Sequence, residues 1–347
     1  MVISLSETSG MLIDNFWLYF IERYETYFRK KLGVQPTSQW PEFSAGRYPN
    51  VLRSMDAGSK DALRIFNCYH YAGNDTPKDK TVLAIACMTV RRLLNSTSIF
   101  TEIEPWVQTI CELKYQGINE TQWYKDVVEA QMCVFNERQL QGLRTTGAAY
   151  SIFSTNISYN KTLALAKQCT DLAMIAVDIY EGLQYRVQGT PLDSPARKQA
   201  AVWLRDLLRE KLTGIHRYAI YQLVLDFEMV PEDIRVDAEQ CLMVSNEARD
   251  ALLYLVADST VDTLSDMFDY LIEKQSEYLI SVQHRYGIMP KYIEGAFPQL
   301  NRVNLEHCLR GFNNFTKVMT YGIQDVAPEI SDDIEETETE ENEEDYA

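Results

Sequence analysis

Four groups of polar side chains stand inside apolar helical runs of this 347-residue sequence. The first is Phe16-Trp17-x-x-Phe20-x-Glu22-Arg23-x-x-x-Tyr27, where an acid and a base are flanked by aromatics. The second is Asn50-x-x-Arg53-x-x-Asp56, whose steps of three predict that all three residues lie near one helix face. The third is Arg92-Leu93-Leu94-Asn95, at an expected helix end. In the fourth, Tyr221-Gln222-x-x-x-Asp226, the amide and the carboxylate are four apart and share a face. Carboxylates in such settings serve as general bases, and guanidinium groups bind oxyanions. The same residue types also stitch helices together through Arg–Asp and Asn–backbone contacts, and each motif alone fits that reading as well.

More specific signatures do not occur. There is no GxxxxGK[ST] and no GxGxxG, so this chain by itself is not expected to be a P-loop kinase or a Rossmann dehydrogenase. His70, His216, His284 and His307 have no partner at metal-ligand spacing and HExxH is missing, so no metal is expected. The nucleophile elbow GxSxG is also missing. The sequence points to no particular cofactor.

The elements that must position these residues are helical. Residues 11–32 place Leu12, Phe16, Tyr19, Phe20, Tyr24, Tyr27 and Phe28 at spacings of three and four, one broad apolar face ended by Gly33. Further helices are predicted at about 49–70, 80–95, 102–115, 121–137, 159–182, 195–212, 214–228 and 246–257. A long helix capped by Ser259 follows, ending near Gly287, and a last one spans about 302–321. Loops are expected over 34–48, at GNDTPKD, over Gln141–Tyr159 and over Gln188–Pro195. Alternating strands and internal repeats are absent from the pattern. The fold expected is all-α, one large multi-helix domain over residues 1–324.

The formal net charge is −17. From Asp325 to Ala347 there are 12 acids and no Lys or Arg; the remainder has 38 acids against 33 bases, a net of −5. Residues 325–347 therefore read as a disordered acidic tail, and the body is only mildly acidic. Within it, Arg23 to Arg64 carries eight bases and four acids, and a basic surface of this kind can meet a polyanion. Seven widely spaced cysteines without a CxxC read as reduced thiols, which points to a cytoplasmic setting. The first residues lack a basic n-region and are not expected to be a signal peptide. No run approaches 18 apolar residues, so no membrane partner is expected.

Taken in order, the segments FWLYFIERYETYFRKKLG, RYPNVLRSMD, RRLLN, TTGAAYSI, GIHRYAIYQLVLDF, EKQSEYLISVQHRYG and VNLEHCLRGFNNFTKV resemble the helical domain found with 5-hydroxymethyluracil DNA kinases. The likeness spans about residues 10–320. That family belongs to the thymine-hypermodification proteins of bacteriophages, and the general plan is similar to transferases with a DNA-glycosylase-like helical fold. The resemblance implies action on 5-hydroxymethyluracil in DNA, with a separate P-loop kinase as partner, in a host cytoplasm if phage-encoded. It also implies roles. Asp226, Asp56 and Glu22 become candidate catalytic carboxylates. Arg23, Arg53, Arg92, Asn50, Asn95, Tyr150 and Gln222 become candidate DNA-binding residues, with the arginines at phosphates and Tyr150 stacked on a base. Two other readings stay open: a transferase joining an amino acid or polyamine to an activated base, and a non-catalytic DNA-binding or adaptor protein. The last is favoured by Gly311-Phe312-Asn313-Asn314-Phe315, which stands where the family has Glu-Phe-Asp-Lys-Tyr.

Overall fold

The structure is a computed structural model that describes residues 6–34, 51–72, 76–147, 152–153, 161–256, 264–288 and 297–321. Within them the chain is all-α. Twelve helices run in the order α1 (Glu7–Lys31), α2 (Ala57–His70), α3 (Pro77–Leu94), α4 (Thr97–Tyr115), α5 (Glu120–Leu140), α6 (Lys161–Met174), α7 (Ala176–Val187), α8 (Pro195–Lys211), α9 (Arg217–Asp226), α10 (Asn246–Leu255), α11 (Leu264–Tyr286) and α12 (Arg302–Tyr321). Two 3-10 turns, Arg53–Met55 and Ala238–Cys241, and one isolated bridge between Phe153 and Ile215 complete the description. The segment expected as an acidic tail and the Ser259 cap fall outside the described residues. No described helix is long and apolar enough to cross a membrane.

The buried apolar side chains form two cores. The first is built from α2 through α9, around residues such as Phe66, Ile85, Phe135, Leu183 and Phe227. The second joins α1 to α10, α11 and α12, so the two ends of the helical array pack together. Its centre is aromatic: Phe16 meets Trp17 at 5.0 Å and Phe312 at 5.3 Å, both edge-on. Each such buried ring contributes roughly 1.5–3 kcal/mol of transfer free energy, and edge-to-face pairing adds to it. The chain passes between the cores at several described places. One is residues 51–56, where Val51 and Met55 belong to the second core and α2 then enters the first. Another is α12, whose Val303 reaches the first core while Leu305, Leu309 and Phe312 stay in the second.

Helix ends differ from expectation where caps outweigh periodicity. The expected helix over 49–70 is a 3-10 turn followed by α2, because Asp56 is extended (φ −68, ψ 134) and its carboxylate caps Ser59 N. Arg53 and Asp56 therefore do not share a helix face. Thr76 caps α3 and Pro77 takes its first position, so GNDTPKD yields its last residues to the helix. Ser96 caps α4 five residues earlier than expected, and α4 runs on through Pro105. The single helix expected over 159–182 is two, α6 and α7, which meet at Ile175 (φ −82, ψ −1). The end of α1 before Gly33 agrees with the pattern.

Candidate functional site

Where the chain crosses between the cores, polar groups from five elements converge. Asp226, at the last position of α9, accepts two hydrogen bonds from Arg92 near the end of α3, from Nε and Nη2, both 2.6 Å. Both side chains are buried, at 3% and 2% exposure. Arg92 Nη2 also reaches Ser59 Oγ at 3.2 Å. Arg53 approaches the same carboxylate at 3.7 Å and donates through Nη1 to Gln222 Oε1, one turn earlier on α9. The i, i+4 pair Gln222 and Asp226 thus presents an amide oxygen and a carboxylate to one guanidinium. The Arg53 backbone N–H donates to Asn304 Oδ1 of α12 at 2.9 Å.

Three of these groups lie close around Gly58. A Cβ there would stand 3.0 Å from Arg92 Nη1, 3.4 Å from Asp56 Oδ2 and 3.8 Å from Asn95 Oδ1. Burial acts to raise the Asp56 pKa, but the nearby His307, Arg53 and Arg92, with the Ser59 N–H, carry it below its ordinary value. Asn95 ends α3 in the left-handed region (φ 50). The Gly147 N–H donates to Leu94 O at 2.8 Å, and a Cβ at Gly147 would lie 2.0 Å from Asn95 O. Farther along, the His216 N–H donates to Ile152 O at 2.7 Å. Gly147 is therefore tied to α3 and Ile152 to the start of α9.

Six expected site residues, Arg53, Asp56, Arg92, Asn95, Gln222 and Asp226, thus come together. Glu22 and Arg23 lie on α1, buried with the second core; Arg23 sits near Cys308, and the Glu22 carbonyl accepts from Thr26 Oγ1 at 2.7 Å. Asn50 and Tyr150 fall outside the described residues. Among the described residues, the bases from Arg23 to Arg64 do not form one continuous surface. Arg23 and Arg53 are buried, Arg64 pairs with Asp61 at 2.8 Å, and Lys60 packs against Tyr27, while Lys30 and Lys31 are exposed.

Several members of the site were not visible as motifs. Ser59 and His307 complete the buried network. Beyond it, Arg310 donates to Tyr218 Oη, and Glu306 accepts from Ser245 N at 3.2 Å, its pKa raised by burial. Beside Arg53 opens a cleft of about 350 Å³, lined among others by Glu228, Asp237, Glu239, Asn301 and Asn304. Burial pushes the Glu228 carboxyl up to about 7, although the Ala238 N–H donates to it at 2.9 Å. A carboxyl that titrates near neutrality at a cleft is suited to exchange a proton. Nothing in the spacing around Glu228 marks it; its pKa is raised by burial first, with Asp237 and Glu239 adding to the rise. Among the described residues no three His, Cys, Asp or Glu side chains cluster as a metal site.

Comparison with curated proteins and with solved structures gives no match. Against known families, the chain matches over residues 11–325 the one described as "5-hmdU DNA kinase, helical domain". That span runs from within α1 through α12 and takes in every residue of the buried network, and the chain belongs to this family of 5-hmdU DNA kinase helical domains.

Proposed function

We propose that this protein is the helical component of a DNA base-hypermodification system, acting on 5-hydroxymethyluracil in DNA beside a P-loop kinase carried separately. The observation that carries the reading is convergence. Residues 53, 92 and 226, far apart in sequence, close one ion-paired network at the wall of a cleft that also holds a near-neutral carboxyl. Family membership supports a base in DNA as the substrate class. A base must leave the duplex stack, or be single-stranded, before a protein can work on it.

The roles follow from burial. Arg92 is held by Asp226 out of water, so its part is to position Asp226, not to meet a phosphate directly. Asp226 and Gln222 in turn fix Arg53, which stands at the cleft wall. Asp56 is half-buried and held ionised by the charges around it. Glu22 is buried in the second core and acts in this reading through packing of α1. Phosphate contact then falls to exposed cations such as Lys30 and Lys31.

The test is binding to short duplexes and single strands carrying thymine or 5-hydroxymethyluracil, at low and moderate salt, with the full chain and with a chain ending at Gln324. Salt-sensitive binding that prefers the modified base is the expected result. Absence of binding to any of these DNAs by either chain would overturn the reading.

A further inference from the structure

The cleft beside Arg53 has a lining that selects among ligands, and its chemistry can be read from which ends of its side chains are already used. Asn301 Oδ1 accepts the Asn304 N–H at 2.9 Å, capping α12, and Asn304 Oδ1 accepts the Arg53 N–H at 2.9 Å. Because a backbone N–H can bond only to the oxygen end, both amides have a fixed orientation. What each Asn leaves for the cleft is its NH2 group, a donor. Glu228 uses one carboxylate oxygen on Ala238 N, which leaves the other. Arg53, nine-tenths buried in the wall, has an Nη2 with no hydrogen bond, 3.7 Å from Asp226.

Charge narrows the choice. Glu228, Asp237 and Glu239 stand in the lining against the single cation Arg53, and Lys198 outside it pairs with Glu239 at 2.5 Å and Asp237 at 3.7 Å. A phosphate dianion would meet more negative than positive charge there. A neutral ligand that offers two acceptors around a donor meets complementary groups instead. A volume of about 350 Å³ is at the small end for a ligand site and admits one heterocycle.

We propose that this cleft reads an uncharged pyrimidine-2,4-dione base by its acceptor–donor–acceptor edge, with the amides of Asn301 and Asn304 donating to the two carbonyls and Glu228 accepting from the ring N–H. The assignment rests on the reading that the substrate is a base in DNA, and it adds the place and the basis of recognition. It also sets an order. The base enters before it is phosphorylated, so a phosphoryl-transfer step would consume what this cleft has selected.

The test uses the full chain with the double variant Asn301→Asp, Asn304→Asp. Both replacements keep the oxygen that caps α12 and the one that holds Arg53 N, remove the donors, and add one negative charge at each site. Dissociation constants are measured for single strands carrying 5-hydroxymethyluracil or 5-hydroxymethylcytosine at one position, with thermal melting to confirm the fold. Wild type is expected to prefer the uracil form by about tenfold, and the double variant to lose that ratio while both affinities shift together from added charge. An unchanged ratio in a folded variant, or no preference in wild type, overturns the assignment and leaves DNA binding itself standing. If wild type binds no DNA, the proposed function fails. The cleft is then judged with free 5-hydroxymethyl-2′-deoxyuridine by ligand-observed NMR, where binding lost in the variant supports the assignment and absence of binding overturns it.

Discussion

Arg92 and Asp226 are 134 positions apart and joined by two hydrogen bonds of 2.6 Å with both side chains shielded from water. A buried pair of this kind gives little net stability over apolar replacements, but removing one partner strands the other charge. Asp226→Ala is therefore expected to cost about 3–5 kcal/mol, read as a lowered urea midpoint. Arg92→Lys should cost about 1–3 kcal/mol, because an ammonium cannot make the paired bonds nor keep the third to Ser59. An Arg92→Lys protein as stable as wild type would show that the paired geometry is not what matters. The same pair governs how an Asp226→Asn variant is read. Loss of base modification bears on chemistry only if the melting temperature is kept.

Gly147 gives a test of the loop that follows α5. Its Cβ in a Gly147→Ala variant would start 2.0 Å from a backbone oxygen, which cannot rotate away. The Gly147–Leu94 bond must break or the end of α3 must shift, at an expected cost of about 1–3 kcal/mol. Since Asn95 stands near Asp56 and Arg92 across Gly58, DNA affinity should fall with stability. Equal melting temperatures for the two proteins would mean the loop does not press on α3.

Much of the fold is legible in the residues, and the reasons for the exceptions are local. The Gln222–Asp226 step on α9 turns both groups to one guanidinium, as the spacing implies, whereas residues 16–26 of α1 are buried all round, Glu22, Arg23 and Glu25 included, and not along one apolar face. Arg53 and Asp56 misled because a period of three fits a helix, while Asp56 gives more stabilisation as a cap than as a helical residue. Arg23, Arg53 and Arg92 read as phosphate ligands because sequence shows charge but not burial, and for Arg53 and Arg92 burial depends on a carboxylate far along the chain. Glu228 carries no motif at all. Its neighbours Asp237 and Ala238 come from a turn that only the folded chain places over it.

Arg197 supports that same turn. Nearly all its donors are used on carbonyls: Thr190 and Pro191 before α8, Glu232 and Arg235 beyond α9, at 2.6–3.3 Å. Arg197→Met leaves these oxygens without their donor and should cost about 2–4 kcal/mol. Because Glu232 and Arg235 lead into Asp237, the variant should also loosen the cover over Glu228, seen as faster amide exchange at Ala238. Unaltered exchange there would separate the two features.

Glu228 makes stability depend on pH in a definite direction. Its carboxyl titrates at about 7 in the folded chain and at about 4.3 in an unfolded one. Between those values the folded state holds the extra proton, so stability falls as pH rises through that window and levels off above it. Asp14, Asp171 and Glu306, also raised by burial, act in the same sense. Asp56 and Asp61, held low, act oppositely and only on acidification below their ordinary range. Glu228→Gln cannot ionise and should gain roughly 1–2 kcal/mol over wild type at pH 8, the half-buried site being partly screened. Urea midpoints at pH 5 and 8 check this. Parallel curves for the two proteins would move the titration elsewhere.

The last prediction concerns the 12 acids from Asp325 onward, which change the net charge from −5 to −17. Charge of that size acts on an approaching polyanion at a distance and is damped by salt, with a screening length of about 10 Å at 0.1 M. A chain ending at Gln324 should therefore bind single-stranded DNA more tightly than the full chain at low salt. If the acids act only through this field, the two affinities converge as salt rises, and their preference for one base over another is the same throughout. A difference that survives high salt, or a base preference that changes on truncation, would mean instead that residues 325–347 occupy the DNA-binding surface itself. Competition by a synthetic peptide of those residues against the shortened chain separates the two mechanisms: a field effect gives no competition in trans at moderate salt, and occupancy does.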